Sequence, residues 1–204
     1  GSSQGISTCE IASTIKGKYG IEPVAHLPSI NFSKEEILVI LDEFRRHNIQ
    51  NILALRGDIN PEVQPKNDFR YASDLITFIK ENSDFNVLGA CYPEGHIEAL
   101  DIETDIRNLR IKVEAGVSHL ISQLFFDNNL FYDFVEKARK AKIKVPIEAG
   151  IMPVVNKKQI ERMVSLCGAS LPSKFTKMMQ RYESRPDALR DAGIAYAVDQ
   201  IVDL

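Results

Sequence analysis

Short apolar segments that read as strands alternate along the whole first three quarters of this chain with amphipathic segments that read as helices. Strands are expected at 23–30, 51–55, 86–92, 119–126 and 145–151, and helices at 33–49, 71–82, 99–116 and 129–142. Consecutive strands joined by a helix pair in parallel, because the crossover returns the chain to the same end of the sheet. The helix over 33–49 carries its own start signal. Ser33 followed three residues later by Glu36 makes a capping box, and Ile37, Leu38, Leu41 and Phe44 supply the apolar stripe. Gly116 is placed to stop the helix over 99–116. After Pro153 the pattern turns helical and stays so to Leu204, with breaks near Pro172 and Pro186.

Two α/β architectures compete for this pattern. A doubly wound sheet would carry a Gly-rich phosphate loop after an early strand, and none is present. A (β/α)8 TIM barrel places its chemistry at the carboxyl ends of several strands. Each strand end here is polar, aromatic or Gly/Pro-rich: His26, then Arg56-Gly57-Asp58, then Tyr92-Pro93-Glu94, then Gln123, then Gly150 to Pro153. The barrel reading requires eight strands, and the sequence supplies about five. An arc of that size leaves two unpaired edges and an uncovered inner face. Pattern alone does not decide between the open sheet and the incomplete barrel.

Composition narrows the function. The chain has 204 residues, is 44% hydrophobic and carries a formal charge of −3, so it can bury an ordinary core but has no electrostatic affinity for nucleic acid or anionic membrane. No apolar run reaches the length of a membrane span. Three widely spaced cysteines, Cys9, Cys91 and Cys167, fit neither a disulfide framework nor a zinc motif, which points to a reducing, cytoplasmic setting.

Six segments occur in order: "VAHL", "NILALRGD", "YASDLI", "ACYPEGH", "NLRIKVEAGVSHLISQLFFD" and "EAGIMPV". Together with "LPSKFTKMM" and "DAGIAYAVDQI" they resemble the methylenetetrahydrofolate reductase family over nearly the whole chain. "LALRGD" and "ISQLFFD" are the most specific. The resemblance implies a TIM barrel that binds FAD noncovalently, takes hydride from NADH or NADPH, and reduces 5,10-methylenetetrahydrofolate to 5-methyltetrahydrofolate. It implies that residues 1–204 are a single FAD-binding catalytic domain, incomplete at both ends, holding strands three to seven. A glutamate general acid and two strands are then expected upstream of Gly1, and a closing strand after Leu204. "GSSQG" at residues 1–5 resembles the Gly-Ser/Thr stretch that follows the family's second strand. The 204-residue chain by itself is expected to hold FAD poorly.

The same resemblance assigns roles to particular residues. Asp58 is the catalytic candidate: a carboxylate beside the flavin and the folate stabilises the cationic iminium that accepts hydride. Taken alone it is an ordinary turn aspartate. His26, Arg56, Gly57, Tyr71, Ala72, Tyr92 and His96 match cofactor contacts. In the helix over 99–116, Asp105, Asn108 and Lys112 share one face by their spacing. That spacing alone describes a solvated, ion-paired face. The resemblance makes it a binding face for ribose and pyrophosphate, with lysine on phosphate. Ile111 departs from a basic residue expected beside Lys112, which puts a second pyrophosphate contact in doubt. Gln123, inside an apolar strand, matches a pterin-binding amide, and Gln159 a second substrate-side glutamine. Val117 stands where the family often has alanine, and its two extra methyls are expected to crowd the helix–strand junction.

No metal is expected, since Glu94, His96 and Glu98 form only a loose loop set. The substrate is a small molecule, and the residues leave open a homo-oligomer or a second subunit. The alternative function is a partner-dependent or catalytically silent FAD-binding barrel subunit. An unrelated barrel enzyme would need a strand-end catalytic lysine or a late Gly-rich phosphate loop, and neither is seen.

Overall fold

The computed structural model describes residues 7–58 and 64–204. "GSSQG" therefore lies outside the described residues. The elements run in order α1 (Thr8–Tyr19), β1 (Val24–Pro28), α2 (Lys34–Arg46), β2 (Asn51–Leu55), α3 (Ala72–Asn82), β3 (Asn86–Cys91) and α4 (Ile102–Glu114). They continue with β4 (His119–Ser122), α5 (Asn128–Lys140), β5 (Ile147–Glu148), α6 (Lys157–Cys167), α7 (Ser173–Tyr182) and α8 (Pro186–Asp203). The strands form one parallel five-stranded sheet in the order β1-β2-β3-β4-β5, and the sheet is not closed. This is the singly wound order of a βα barrel. A doubly wound sheet would change direction partway through its strand order.

The expected strands and helices are present, with shifted ends. β4 is shorter than its apolar run, because Leu124, Phe125 and Phe126 leave the ladder to pack in the core instead, and β5 is only Ile147–Glu148. The helix α1 was not expected from the apolar pattern. It is set locally, by a capping box of Ser7 and Glu10 and a left-handed Gly20 whose N–H returns to Lys16 O. The capping box at Ser33 and Glu36 forms as expected. Leu38, expected in the α2 stripe, is instead 42% exposed, because Ile37, Leu41 and Phe44 lie at i, i+4 and i+7 and Leu38 turns off that line. The helix α4 ends just before Gly116, whose φ of +120° suits the expected stop.

The chain falls into two compact units, residues up to Ala90 with Ile111–Leu120, and Cys91–Arg110 with Ile121–Leu204. In the first, β1 and β2 pair in register Ala25 to Ile52 and Leu27 to Ala54. Ile37, Leu41, Phe44, Ile52, Leu75, Ile76, Ile79 and Val87 are essentially buried. A polar ladder crosses the amino ends of its strands. Asn86 Nδ2 donates to Asn51 Oδ1 at 2.9 Å, and Ser118 Oγ donates to Asn86 Oδ1. Val117 is 4% exposed, and Gly89 is what admits it: a Cβ on Gly89 would lie 3.2 Å from Val117 Cγ2. The expected crowding is thus relieved across the sheet. The second unit packs Phe126, Val154, Ile160, Ala169 and Phe175 together, with Phe126 and Phe175 rings 4.7 Å apart. Among the described residues no helix is long and apolar enough to cross a membrane.

Candidate functional site

In the first unit, β1 alternates exposed and buried residues, so Val24, His26 and Pro28 share the open face while Ala25 and Leu27 are buried. The His26 side chain has no hydrogen-bond partner among the described residues. Beyond β2 the pairing continues into the turn. Ser29 N–H donates to Leu55 O at 3.0 Å and Arg56 O at 3.1 Å, and Ile30 N–H donates to Arg56 O at 2.8 Å. The chain then breaks away at Gly57, with φ +89°, where a Cβ would sit 3.0 Å from Pro28 Cβ and 3.1 Å from Ile30 Cγ2. Glycine is required here by the packing against β1 as well as by the dihedral. Arg56 Nε donates to the Gly57 carbonyl at 3.3 Å. Asp58 follows, exposed and without a hydrogen-bond or ion-pair partner among the described residues.

Tyr71 is 52% exposed and precedes Ala72, the first residue of α3. The turn is held by Asp74, whose Oδ2 accepts the N–H groups of Arg70 and Tyr71, each at 2.9 Å. The Arg70 guanidinium lies 5.2 Å from the Tyr71 ring centre. Lys112, half-buried on α4, donates from Nζ to Ala90 O of β3 at 2.7 Å. A lysine expected on phosphate is therefore also a strand-to-helix tie.

In the second unit, Tyr92 and His96 meet edge to face with ring centres 4.6 Å apart. His96 Nδ1 accepts the Glu98 N–H at 3.1 Å, which leaves the ring proton on Nε2 in the neutral form. The His96 N–H donates to Asp105 Oδ2 at 3.1 Å. Asp105 is 7% exposed, so its carboxylate anchors the loop after β3 to α4. Asn108, one turn on, is exposed and without a partner among the described residues. Gln123 N–H continues the ladder to Cys91 O at 2.7 Å, and its Oε1 accepts the Leu124 N–H at 2.9 Å. Its Nε2 donates to nothing among the described residues. Gln159 differs: Oε1 accepts the Val155 N–H at 3.0 Å, its own N–H caps onto Asn156 Oδ1 at 2.8 Å, and Nε2 reaches Met152 Sδ at 3.6 Å. Glu94 accepts the Ser170 N–H.

One polar group escaped the reading of the sequence. Ser29, 1% exposed at the end of β1, has a hydroxyl with no partner among the described residues. An unpaired buried hydroxyl costs on the order of 1–3 kcal/mol. The only signal in the sequence was a serine after the strand proline, which also describes any turn.

Comparison with known proteins gives a consistent result. A family model described as methylenetetrahydrofolate reductase matches residues 1–204. The 5,10-methylenetetrahydrofolate reductase of Escherichia coli (strain K12) is 34% identical over 195 residues, covering 95% of this chain and 65% of that protein. That of Buchnera aphidicola subsp. Baizongia pistaciae is 38% identical over 195 residues, with the same coverage of 95% and 65%. Methylenetetrahydrofolate reductase (NADH) 1 of Arabidopsis thaliana is 33% identical over 207 residues, covering 94% of this chain and 35% of that protein. The chain thus spans 65% of the length of these bacterial relatives. A solved structure described as "Uncharacterized protein from Clostridium thermocellum binds two copies of 5-methyl-5,6,7,8-tetrahydrofolic acid" matches with a TM-score of 0.58 and 17% identity, over 93% of this chain and 64% of that one. At that identity the likeness speaks to the fold.

Proposed function

The chain belongs to the methylenetetrahydrofolate reductase family, and from that premise we propose that it reduces 5,10-methylenetetrahydrofolate to 5-methyltetrahydrofolate, with noncovalent FAD as cofactor and NADH or NADPH as reductant. The observation that carries this reading is the family match along all 204 residues. It is supported by polar side chains that the protein itself leaves unengaged. His26, Asp58, Asn108 and the Gln123 amide nitrogen have no partner among the described residues. A half-buried amide donor without a partner is poised for a ligand acceptor.

The donor set fits FAD in its chemistry. Lys112 supplies an ammonium for a phosphate, Asn108 and Asp105 an amide and a carboxylate for hydroxyls, and Arg56 a guanidinium. Tyr71 and Tyr92 offer ring faces, His26 and His96 imidazole nitrogens, and Ala72 with Gly57 backbone free of bulky side chains. Held by these residues, FAD would supply the hydride-carrying chemistry between nicotinamide and folate. The chain's own residues bind, orient and stabilise. Gln123 Nε2 donates to an acceptor on the pterin, and Gln159 stiffens the segment after β5 as well as meeting the substrate. The Asp58 carboxylate stabilises the cationic iminium form of the folate, an effect that grows as water is excluded.

Visible absorption of the purified full-length protein is the test. A flavin spectrum bleached by NADH or NADPH and restored by methylenetetrahydrofolate is expected. A colourless protein would sink the cofactor assignment. A flavin that is reduced but never reoxidised by the folate would favour a silent or partner-dependent FAD module.

A further inference from the structure

Cys9 is 4% exposed on the first turn of α1, and it lies against the carboxyl end of α2. There Glu43 in the last turn and His47 at the C-cap are spaced i, i+4, so their side chains stack on one face of the helix. One donor atom from each residue, Cys9 Sγ, a Glu43 carboxylate oxygen and a His47 ring nitrogen, lies within 4.8 Å of the others. A thiol, an imidazole and a carboxylate converging from two helices are the ligand types that select zinc over magnesium or calcium. We propose that Cys9, Glu43 and His47 form a divalent-metal site of zinc type, with water in the fourth position, that clips α1 to α2.

The site is independent of the flavin reading. Tetrahedral zinc with these ligands puts its donor atoms roughly 3.3–3.6 Å apart, from bond lengths of about 2.0–2.3 Å. Closing from the observed spread needs rotamer adjustments of about an ångström, which the solvent-exposed His47 permits. The charges balance: a thiolate, a carboxylate and a neutral imidazole carry two negative charges against the dication. Without metal the thiol holds its proton. Burial, then the Glu43 carboxylate that accepts its hydrogen bond, then Glu10, push Cys9 up to about 11. Binding therefore releases that proton to solvent as the S–metal bond forms, with no change of redox state.

The experiment uses the full-length protein stripped with chelator and titrated with Zn2+ against a chromophoric competitor. One zinc per chain is expected. Co2+ in its place is expected to give a thiolate-to-cobalt charge-transfer band in the near ultraviolet. Cys9→Ser should lose that band and weaken zinc by about 100-fold or more, while Cys91→Ser and Cys167→Ser keep both. Glu43→Gln and His47→Gln cover the case in which Cys9→Ser does not fold, and each should weaken zinc by at least about tenfold. Failure to take zinc from the competitor, a cobalt spectrum without the thiolate band, or wild-type affinity in both Glu43→Gln and His47→Gln would overturn the site.

Discussion

Asp58 follows the end of β2 and Asp105 lies in the first turn of α4, and the structure treats the two aspartates in opposite ways. Asp58 stands exposed after β2 with no partner among the described residues. Asp105 is 7% exposed and accepts the His96 N–H. The glutamines repeat the contrast. Gln123 keeps an amide nitrogen without a partner among the described residues, whereas Gln159 is engaged on both ends of its amide. A side chain that the fold already uses carries stability whatever else it does. One that the fold ignores, yet holds at a strand end, is free to spend its interaction on a ligand.

The contrast breaks most sharply at Asp58. Asp58→Asn is expected to slow folate reduction by about 10²-fold, the size of losing one electrostatic group in a shielded site. Reduction of the flavin by nicotinamide should fall far less, and the fold should keep its stability. Rapid mixing of the two half-reactions checks this; equal slowing of both would make Asp58 a residue that tunes the flavin.

Lys112 tests whether one residue serves both purposes. Lys112→Ala is expected to weaken FAD retention by about 1.5–3 kcal/mol, the range for a hydrogen bond to a charged group. It should also lower stability by leaving Ala90 O without its 2.7 Å donor. Equilibrium dialysis with FAD and urea unfolding of the apoprotein separate the two effects. Unchanged FAD affinity with lowered stability would leave Lys112 purely as a tie.

Asp105→Ala should behave as the engaged partner of the comparison, with a loss of about 1–3 kcal/mol in unfolding free energy because the His96 N–H is left unpaired. Denaturant titration reads it, and wild-type stability would show that the bond to His96 contributes nothing. The smallest effect is expected at Gln159. Gln159→Ala should cost about 1 kcal/mol in stability through the Val155 N–H. Gln123→Ala should cost a similar amount through the Leu124 N–H, and should raise KM for the folate more than Gln159→Ala does. Thermal unfolding and steady-state kinetics on the pair sharpen the contrast, and a reversed pattern would refute it.

Much of the architecture was legible because it rests on local rules. The capping box at Ser33 and Glu36, the stop at Gly116 and the alternation of apolar segments each depend on neighbours a few residues away. Leu38 misled because a stripe read from apolarity alone includes residues one step off the helix line. The helix α1 was missed because capping rather than apolar periodicity defines it. The resemblance makes Gly57 a cofactor contact, and its packing against Pro28 and Ile30 comes only from the pairing of β2 with β1. Ser29, whose hydroxyl has no partner among the described residues, is illegible for the same reason: burial is a property of the assembled sheet.

The alternation of strands and helices from β1 onward, their parallel pairing, the family resemblance and the residue types at each strand end were readable along the chain. Those follow from periodicity, capping and motif, which act along the chain. Only the tertiary structure decided which of those polar residues the fold consumes. It closed Asp105 onto His96 and Gln159 onto Val155, and among the described residues it gave the Asp58 side chain and the Gln123 amide nitrogen no partner. It also brought Cys9 of α1 beside Glu43 and His47 of α2, a grouping with no motif spacing to announce it. The physical reason is common to all of these. A hydrogen bond or a ligand set needs atoms within a few ångströms, and distance between residues far apart in sequence is fixed by packing.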